Sequence, residues 1–389
     1  MTSAAAVPLE EIRTSARTAL AGTPMPSATE ETWRRTDPKL WGLQGLTPGA
    51  VKPPALEIVV PPELAAAGVV AVDLETAARR FPDRLRAALD AGVESEYSKW
   101  ELANRSYAAG AFVFVPRGAR SATAVHLIFR HPAGTHTFPR VIAYIEEGSD
   151  VNLIEEHVSA DPEAAGTSAA ISSVVLAPGA RAGVCYVQEL GARAVHFWHQ
   201  RCVLGAGAEL TQLSLGLGAR VSKSQLNVRL EGQGASARLF GILFGSASQH
   251  FDPHTTQHHL GPKTSSDMLF RSVLRDKARS IYTGLIRIEK EARDTEAYQA
   301  DHNLLLSATA RADSTPVLEI LTNAVRCKHG ATAGPLPAEE LFYLGCRGVP
   351  EAEAKRLLVL GFFDPILSRL PETLRVGLSA RVEARLEGI

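Results

Sequence analysis

Ile171-Ser172-Ser173-Val174-Val175-Leu176 runs into Pro178-Gly179-Ala180, and 28 residues further on the same kind of corner returns as Ala206-Gly207-Ala208. Upstream the pattern repeats at Arg117-Gly118-Ala119 and Glu147-Gly148-Ser149, and downstream at Gln233-Gly234-Ala235. The glycines stand 30, 31, 28 and 27 residues apart. Short apolar runs fill the intervals, among them Phe112-Val113-Phe114-Val115, Val141-Ile142-Ala143-Tyr144-Ile145 and Leu239-Phe240-Gly241-Ile242-Leu243-Phe244. A near-constant period of this size, filled with strands, is the mark of a solenoid in which each coil stacks on the last. A β-sandwich is the other closed solution, but its tight hairpins favour Asn-Gly or Asp-Gly, and the chain contains neither dipeptide. The step lengthens once, between Gly234 and Arg275-Asp276-Lys277-Ala278, and the extra length is expected to hold a histidine-rich insert, His250 to His259.

Three regions follow from the pattern. Residues 1–100 are expected to be mixed and mainly helical, 101–334 to form the parallel β-helix, and 335–389 to form a helical domain. Pro8 to Ala21 reads as a helix closed by Gly22, with Glu10 and Glu11 in its first turn. Pro48 to Pro62 carries five prolines and reads as an extended edge or linker, Val69 to Val72 as a short strand, and Leu74 to Ala91 as a helix split by Pro82. After Gly334, Pro337 opens a helix that closes near Gly345, and Pro350 opens another that ends at Gly361. Apolar residues crowd this end, including Leu357, Leu358, Leu360, Phe362 and Phe363. They are expected to pack among the helices and onto the solenoid's end, with part of the surface facing a partner. The solenoid is expected to survive loss of these helices.

Composition excludes several classes. A formal net charge of −1 gives no support to nucleic-acid binding. The first residues lack a secretory signal pattern, and the longest apolar run, Leu64 to Val72, is too short to span a bilayer, so a cytoplasmic protein is expected. Cys185, Cys202, Cys327 and Cys346 form no Cys-x-x-Cys pair and read as free thiols. No phosphate loop, complete dinucleotide fingerprint or Gly-x-Ser-x-Gly elbow occurs, so no ATP site and no independent catalysis are expected.

Cys327 and His329, two residues apart, share one face of an extended strand. Thiolate and imidazole can hold iron or a nascent cluster, and they can equally be a buried thiol and a hydrogen-bonded histidine. Two ligands do not complete a site, so a second segment or chain would be needed. His250, His254 and His258 would share another strand face, as stacked structural histidines or, secondarily, as iron contacts.

The C-terminal third carries a leucine-rich strand (Leu304-Leu305-Leu306), then Pro316-Val317-Leu318-Glu319-Ile320, then His329-Gly330-Ala331-Thr332, expected to turn sharply at Gly330, then Leu341-Phe342-Tyr343-Leu344, then Arg347-Gly348. In that order these pieces resemble the SufB/SufD family of iron–sulfur cluster assembly proteins. Cys327-Lys328-His329-Gly330 is most similar to SufD, and SufB-like chains carry a cysteine where this chain has Asp301 and His302. Trp33-Arg34-Arg35-Thr36 resembles the N-terminal motif of SufD-type chains. The resemblance implies a right-handed parallel β-helix and a non-catalytic scaffold that pairs with a SufB-like subunit through the β-helix. It implies that a SufC-like ATPase docks on the C-terminal helices, with Leu341, Phe342, Tyr343, Arg347, Phe362 and Phe363 as partner-facing candidates. It places a transient iron–sulfur cluster and iron near His329 at the SufB interface, and leaves room for a flavin in the complex. Two alternatives stand beside it: a homodimeric SufB-like scaffold, and a β-helix enzyme acting on carbohydrate.

Overall fold

The computed structural model describes residues 7–91, 98–370 and 372–387. The protein is mainly β, a solenoid of about eight turns flanked by N-terminal and C-terminal helices. Each coil contributes one strand to each of two sheets, so a strand pairs with the next strand but one. Arg181–Glu189, Glu209–Gly216, Ser236–Gly245, Ser265–Leu274, Thr295–Leu305 and Val325–Pro335 are successive neighbours in one sheet. Ala165–Leu176, Arg193–Leu204, Val221–Leu230, His250–His259, Arg279–Ile288 and Arg311–Ile320 are successive neighbours in the other. These pairings are parallel and in continuous register along most of their length, as in Val195 opposite Val221. Among the described residues the first sheet has nine strands and the second ten, one of which, His136–Thr137, lies off its main path.

The corners explain the period. Gly118, Gly148, Gly179, Gly207 and Gly234 all adopt positive φ, the left-handed conformation that lacks a Cβ penalty only for glycine. Their amides donate to the next corner: Gly179 to the Ala206 carbonyl at 2.8 Å, Gly207 to Gln233 at 2.9 Å, Gly234 to Pro262 at 3.0 Å. The column does not lengthen at Gly234. It continues at Lys263 and Asp294, both at positive φ, and the Lys263 amide donates to the Arg293 carbonyl at 2.7 Å. The Arg275 turn belongs to the opposite corner, where Ala247 and Asp276 also take positive φ. The histidine-rich segment is therefore a regular strand, His250–His259, and not an insert.

Alternation along the strands builds two cores. Ala182, Val184 and Tyr186 join the cluster inside the solenoid, whereas Cys185 and Val187 join a second cluster on the outside. The C-terminal helices cover that outer face. Glu351–Leu367 buries Val359, Phe363, Ile366 and Leu367, and Glu372–Arg385 buries Leu374, Leu378 and Val382, against Leu213, Phe240, Ile242 and Leu269. The longer helix runs through Gly361 to Leu367 because this burial outweighs glycine's propensity cost of ~1 kcal/mol. Arg381 reinforces the dock by pairing with Glu156 at 2.8 Å and with Glu189. These helices lie on the side of the solenoid and not on its end.

The outer face of the ten-stranded sheet is covered by the N-terminal region. Trp33, Trp41, Trp100 and Phe197 make an aromatic cluster, with Trp33 stacked on Trp100 at 4.1 Å between ring centres. Val70–Asp73 and Ala55–Val59 add antiparallel strands to the first coil, one on each sheet. At this end the sheets therefore finish in short strands of reversed direction, four and five residues long. At the other end they finish in the full-length parallel strands Arg311–Ile320 and Val325–Pro335.

Phe363 is fully enclosed and Phe342 is 73% exposed, which separates packing from surface. Phe363→Ala should lower unfolding stability by about 3–5 kcal/mol in urea denaturation, and Phe342→Ala should change it by less than about 0.5 kcal/mol. Truncation after Val349 should leave an aggregating chain, detected by light scattering, because it uncovers the apolar outer face.

Candidate functional site

The terminal coil carries the chemistry that the sequence singles out. Val325–Pro335 presents Val325 and Cys327 to the solenoid's interior, where they pack against Ile286, Ile288, Ala292 and Ala297. Alternation puts His329 on that same face, in register with Gln299 and exposed to solvent. Cys327 is half-buried in register with Ala297, and burial pushes its thiol above the ordinary range. The strand continues straight through Gly330 to Pro335, so the His-Gly-Ala-Thr segment is extended and not a turn. Exposed Leu318, Ile320 and Leu321 stand beside this strand at the open end. Among the described residues no three His, Cys, Asp or Glu side chains converge as metal ligands.

His254 and His258 lie on the other sheet. His254 Nε2 is 2.8 Å from Asp252 Oδ1 and 2.8 Å from Lys223 Nζ. Lys223 also donates to Asp252 Oδ2 at 2.6 Å and to the Thr32 carbonyl at 2.8 Å. Thr36 donates to Asp252 at 2.5 Å and meets His250 at 2.8 Å. The Trp33-Arg34-Arg35-Thr36 motif is thus the strap that closes over this charged cluster. Burial alone would raise the Asp252 carboxyl, but His254 and Lys223 hold it well below the usual range. His258 pairs with Glu289 at 2.9 Å, and His259 engages Thr264 and Ser266 through both ring nitrogens at 2.8 Å. These contacts give the histidines structural work. The structure does not bring them to Cys327 and His329.

A second set of histidines, unmarked in the sequence, meets inside the solenoid. His131 Nε2 is 3.0 Å from His157 Nδ1, His157 Nε2 is 2.9 Å from Glu155, and Ser172 donates to Glu155 at 2.7 Å. Tyr186 and His196 bond to each other alongside. Glu155 and His157 share one strand and the others come from four more, so only their inward parity on each strand could have announced them. All are buried, so the network fixes the core and offers no surface site.

The partner-facing candidates divide. Phe342 and Tyr343 are exposed on Ala338–Cys346, a helix that buries none of its residues. Leu341 is partly covered, and Arg347 stacks on the Tyr343 ring at 5.2 Å. Phe362 lies under the Arg271 guanidinium, 4.8 Å from its ring centre, and Phe363 is enclosed in the dock.

A parallel β-solenoid with helices on its flank and a terminal coil paired on one side only defines the class: a β-helical protein. The family model "SUF system FeS cluster assembly, SufBD core domain" matches residues 128–362, more than half of the chain. The chain belongs to this family of iron–sulfur cluster assembly proteins. It is 33% identical over 241 residues to an iron-sulfur cluster assembly SufBD family protein of Mycobacterium leprae, covering 60% of this chain and 62% of the relative. It is 30% identical over 293 residues to a SufBD family protein of Mycobacterium tuberculosis, covering 72% of each. A Staphylococcus epidermidis SufBD family protein is 23% identical over 328 residues, 84% of this chain and 70% of the relative. No helix among the described residues is long and apolar enough to cross a membrane.

Burial lowers the pKa of His131, His196, His199, His250 and His259, the last to about 4. The unfolded chain then binds more protons between pH ~6.5 and ~4, so stability falls as pH falls through that window. Asp301 opposes this weakly: burial raises it to about 6, so its contribution falls as pH rises toward 6. Urea midpoints should drop between pH 7 and pH 5, and His259→Gln should flatten the slope by up to about 1.4 kcal/mol per pH unit.

Proposed function

We propose that this chain is a SufD-like, non-catalytic scaffold subunit of a cytoplasmic SufBCD-type complex that supports assembly of iron–sulfur clusters. The observation that carries this is the open terminal coil. Two parallel edge strands end the sheets, Leu318, Ile320 and Leu321 are exposed beside them, and Cys327 and His329 stand on the same coil. Unpaired edges with apolar side chains are templates for another chain's strands. A SufB-like subunit adding its own edge strands would bury this surface and supply the ligands that Cys327 and His329 lack.

Iron and sulfide are then cargo at the junction. An imidazole at the junction suits borderline iron, and the Cys327 thiol becomes a ligand only once a metal displaces its proton. The helix Ala338–Cys346, with Phe342 and Tyr343 outward, is the surface offered to a SufC-like ATPase. Its connection to the terminal coil through Leu336 and Pro337 ties movement of the helix to that coil. ATP-driven movement of the ATPase would thereby reach the junction. His254 and His258 contribute to the strap and to strand pairing and take no part in the transfer.

Reconstitution with the SufB-like and SufC-like subunits tests the proposal. His329→Ala should keep the melting temperature and both partner contacts near wild type while cutting cluster formation at least about tenfold, read by visible absorbance. Phe342→Ala with Tyr343→Ala should weaken ATPase capture and leave SufB-like binding intact. Normal cluster assembly by His329→Ala, or loss that only follows dissociation, would remove the role given to this residue.

A further inference from the structure

One coil beneath the open end, three neighbouring side chains on one strand face share a pattern. Gln299, Asp301 and Asn303 alternate along Thr295–Leu305, all point inward, and all are at most 4% exposed. Each uses its hydrogen bonds on one side only. Gln299 Nε2 donates to the Gly284 carbonyl at 3.1 Å, which leaves Oε1 bare. Asn303 Nδ2 donates to Asp301 Oδ2 at 2.7 Å, and Ser314 Oγ donates to the same oxygen. Asp301 Oδ1 and Asn303 Oδ1 are left without partners.

Three buried oxygens without a donor cost several kcal/mol in an apolar interior unless something supplies positive charge or hydrogens. An anion would be repelled. The Asn303–Asp301 hydrogen bond ties together the two side chains that carry these bare oxygens. Their neighbours on the terminal strand are small, since Ala331 stands opposite Asp301 and Ala333 opposite Asn303. His329 stands opposite Gln299, so the row of bare oxygens begins directly beneath it. The cover over the row is a single edge strand, paired on one side only and free to open locally.

We infer that Asp301 and Asn303 form an oxygen-donor site for a divalent cation of the Mn(II) or Fe(II) class, with Gln299 between it and His329. This deepens the function proposed above by giving the incoming metal a holding position inside the terminal coil. Carboxylate and carboxamide oxygens suit such ions, and waters would fill the remaining positions. One carboxylate makes the site weak and exchangeable, as a holding position requires.

The test uses the purified full chain without partners, titrated with Mn(II) and read by loss of the free-ion EPR signal, with anaerobic Fe(II) as competitor. Wild type should bind one Mn(II) per chain with a dissociation constant on the order of 100 µM. Asp301→Asn should weaken binding about tenfold or more. Asn303→Asp, which adds a carboxylate, should tighten it several-fold, and serves as the readout if Asp301→Asn fails to fold. His329→Ala should leave Mn(II) binding within about twofold, which separates this site from the role given to His329. No stoichiometric binding by wild type, or unchanged affinity in both variants, overturns the inference even where His329→Ala abolishes cluster assembly in the complex.

Discussion

A parallel coil hydrogen-bonds only to the coil before it and the coil after it, so a stack of any length ends in unpaired edges. The two ends of this chain differ in how they meet that constraint. At the first coil the direction of the chain reverses, and Ala55–Val59 and Val70–Asp73 lie antiparallel against Arg120–His131 and Ala109–Val115. At the last coil nothing follows Arg311–Ile320 or Val325–Pro335 in either sheet. Short strands of reversed direction blunt the first end, whereas the second ends in full-length parallel strands open to strand addition.

The flanks are closed as well. N-terminal residues cover one sheet with the tryptophan cluster, and the C-terminal helices cover the other through Phe363 and Ile366. Of the large hydrophobic side chains exposed among the described residues, all but Val59 fall between Tyr298 and Leu357. Unburied apolar surface is therefore concentrated on the terminal coil and the short helix that leaves it. Metal-capable Cys327 and His329 lie on that same coil, and the orphaned oxygens of Asp301 and Asn303 lie one coil inside. Exposed apolar surface and unsatisfied polar groups thus coincide with Cys327 and His329 at one end, which is the physical basis for the proposal made for that end.

The glycine corners from Gly118 to Gly234 made the solenoid legible, because left-handed geometry selects glycine. The column then disappeared from view at Lys263 and Asp294, where the same geometry is carried by residues with a Cβ. That substitution made a regular strand of histidines look like an insert. Gly361 and Gly330 misled in the opposite sense. Neither adopts positive φ, and packing carries the helix past the first as the ladder carries the strand past the second. At the candidate site, the shared face of Cys327 and His329 followed from spacing alone. The Glu155–His157–His131 network and the bare oxygens under His329 did not, because they depend on which coils stack.

Hydrogen–deuterium exchange on the terminal coil tests the central claim most directly. In the isolated chain, amides of Arg311–Ile320 and Val325–Pro335 that face away from their one neighbouring strand should exchange within seconds, and those of Arg193–Leu204 should be protected for hours. With a SufB-like subunit added, protection should appear on the two terminal strands and leave the central coils unchanged. Terminal strands that are already protected in the isolated chain, or that stay unprotected in a stable complex, would contradict the claim that this open end is where the protein is completed.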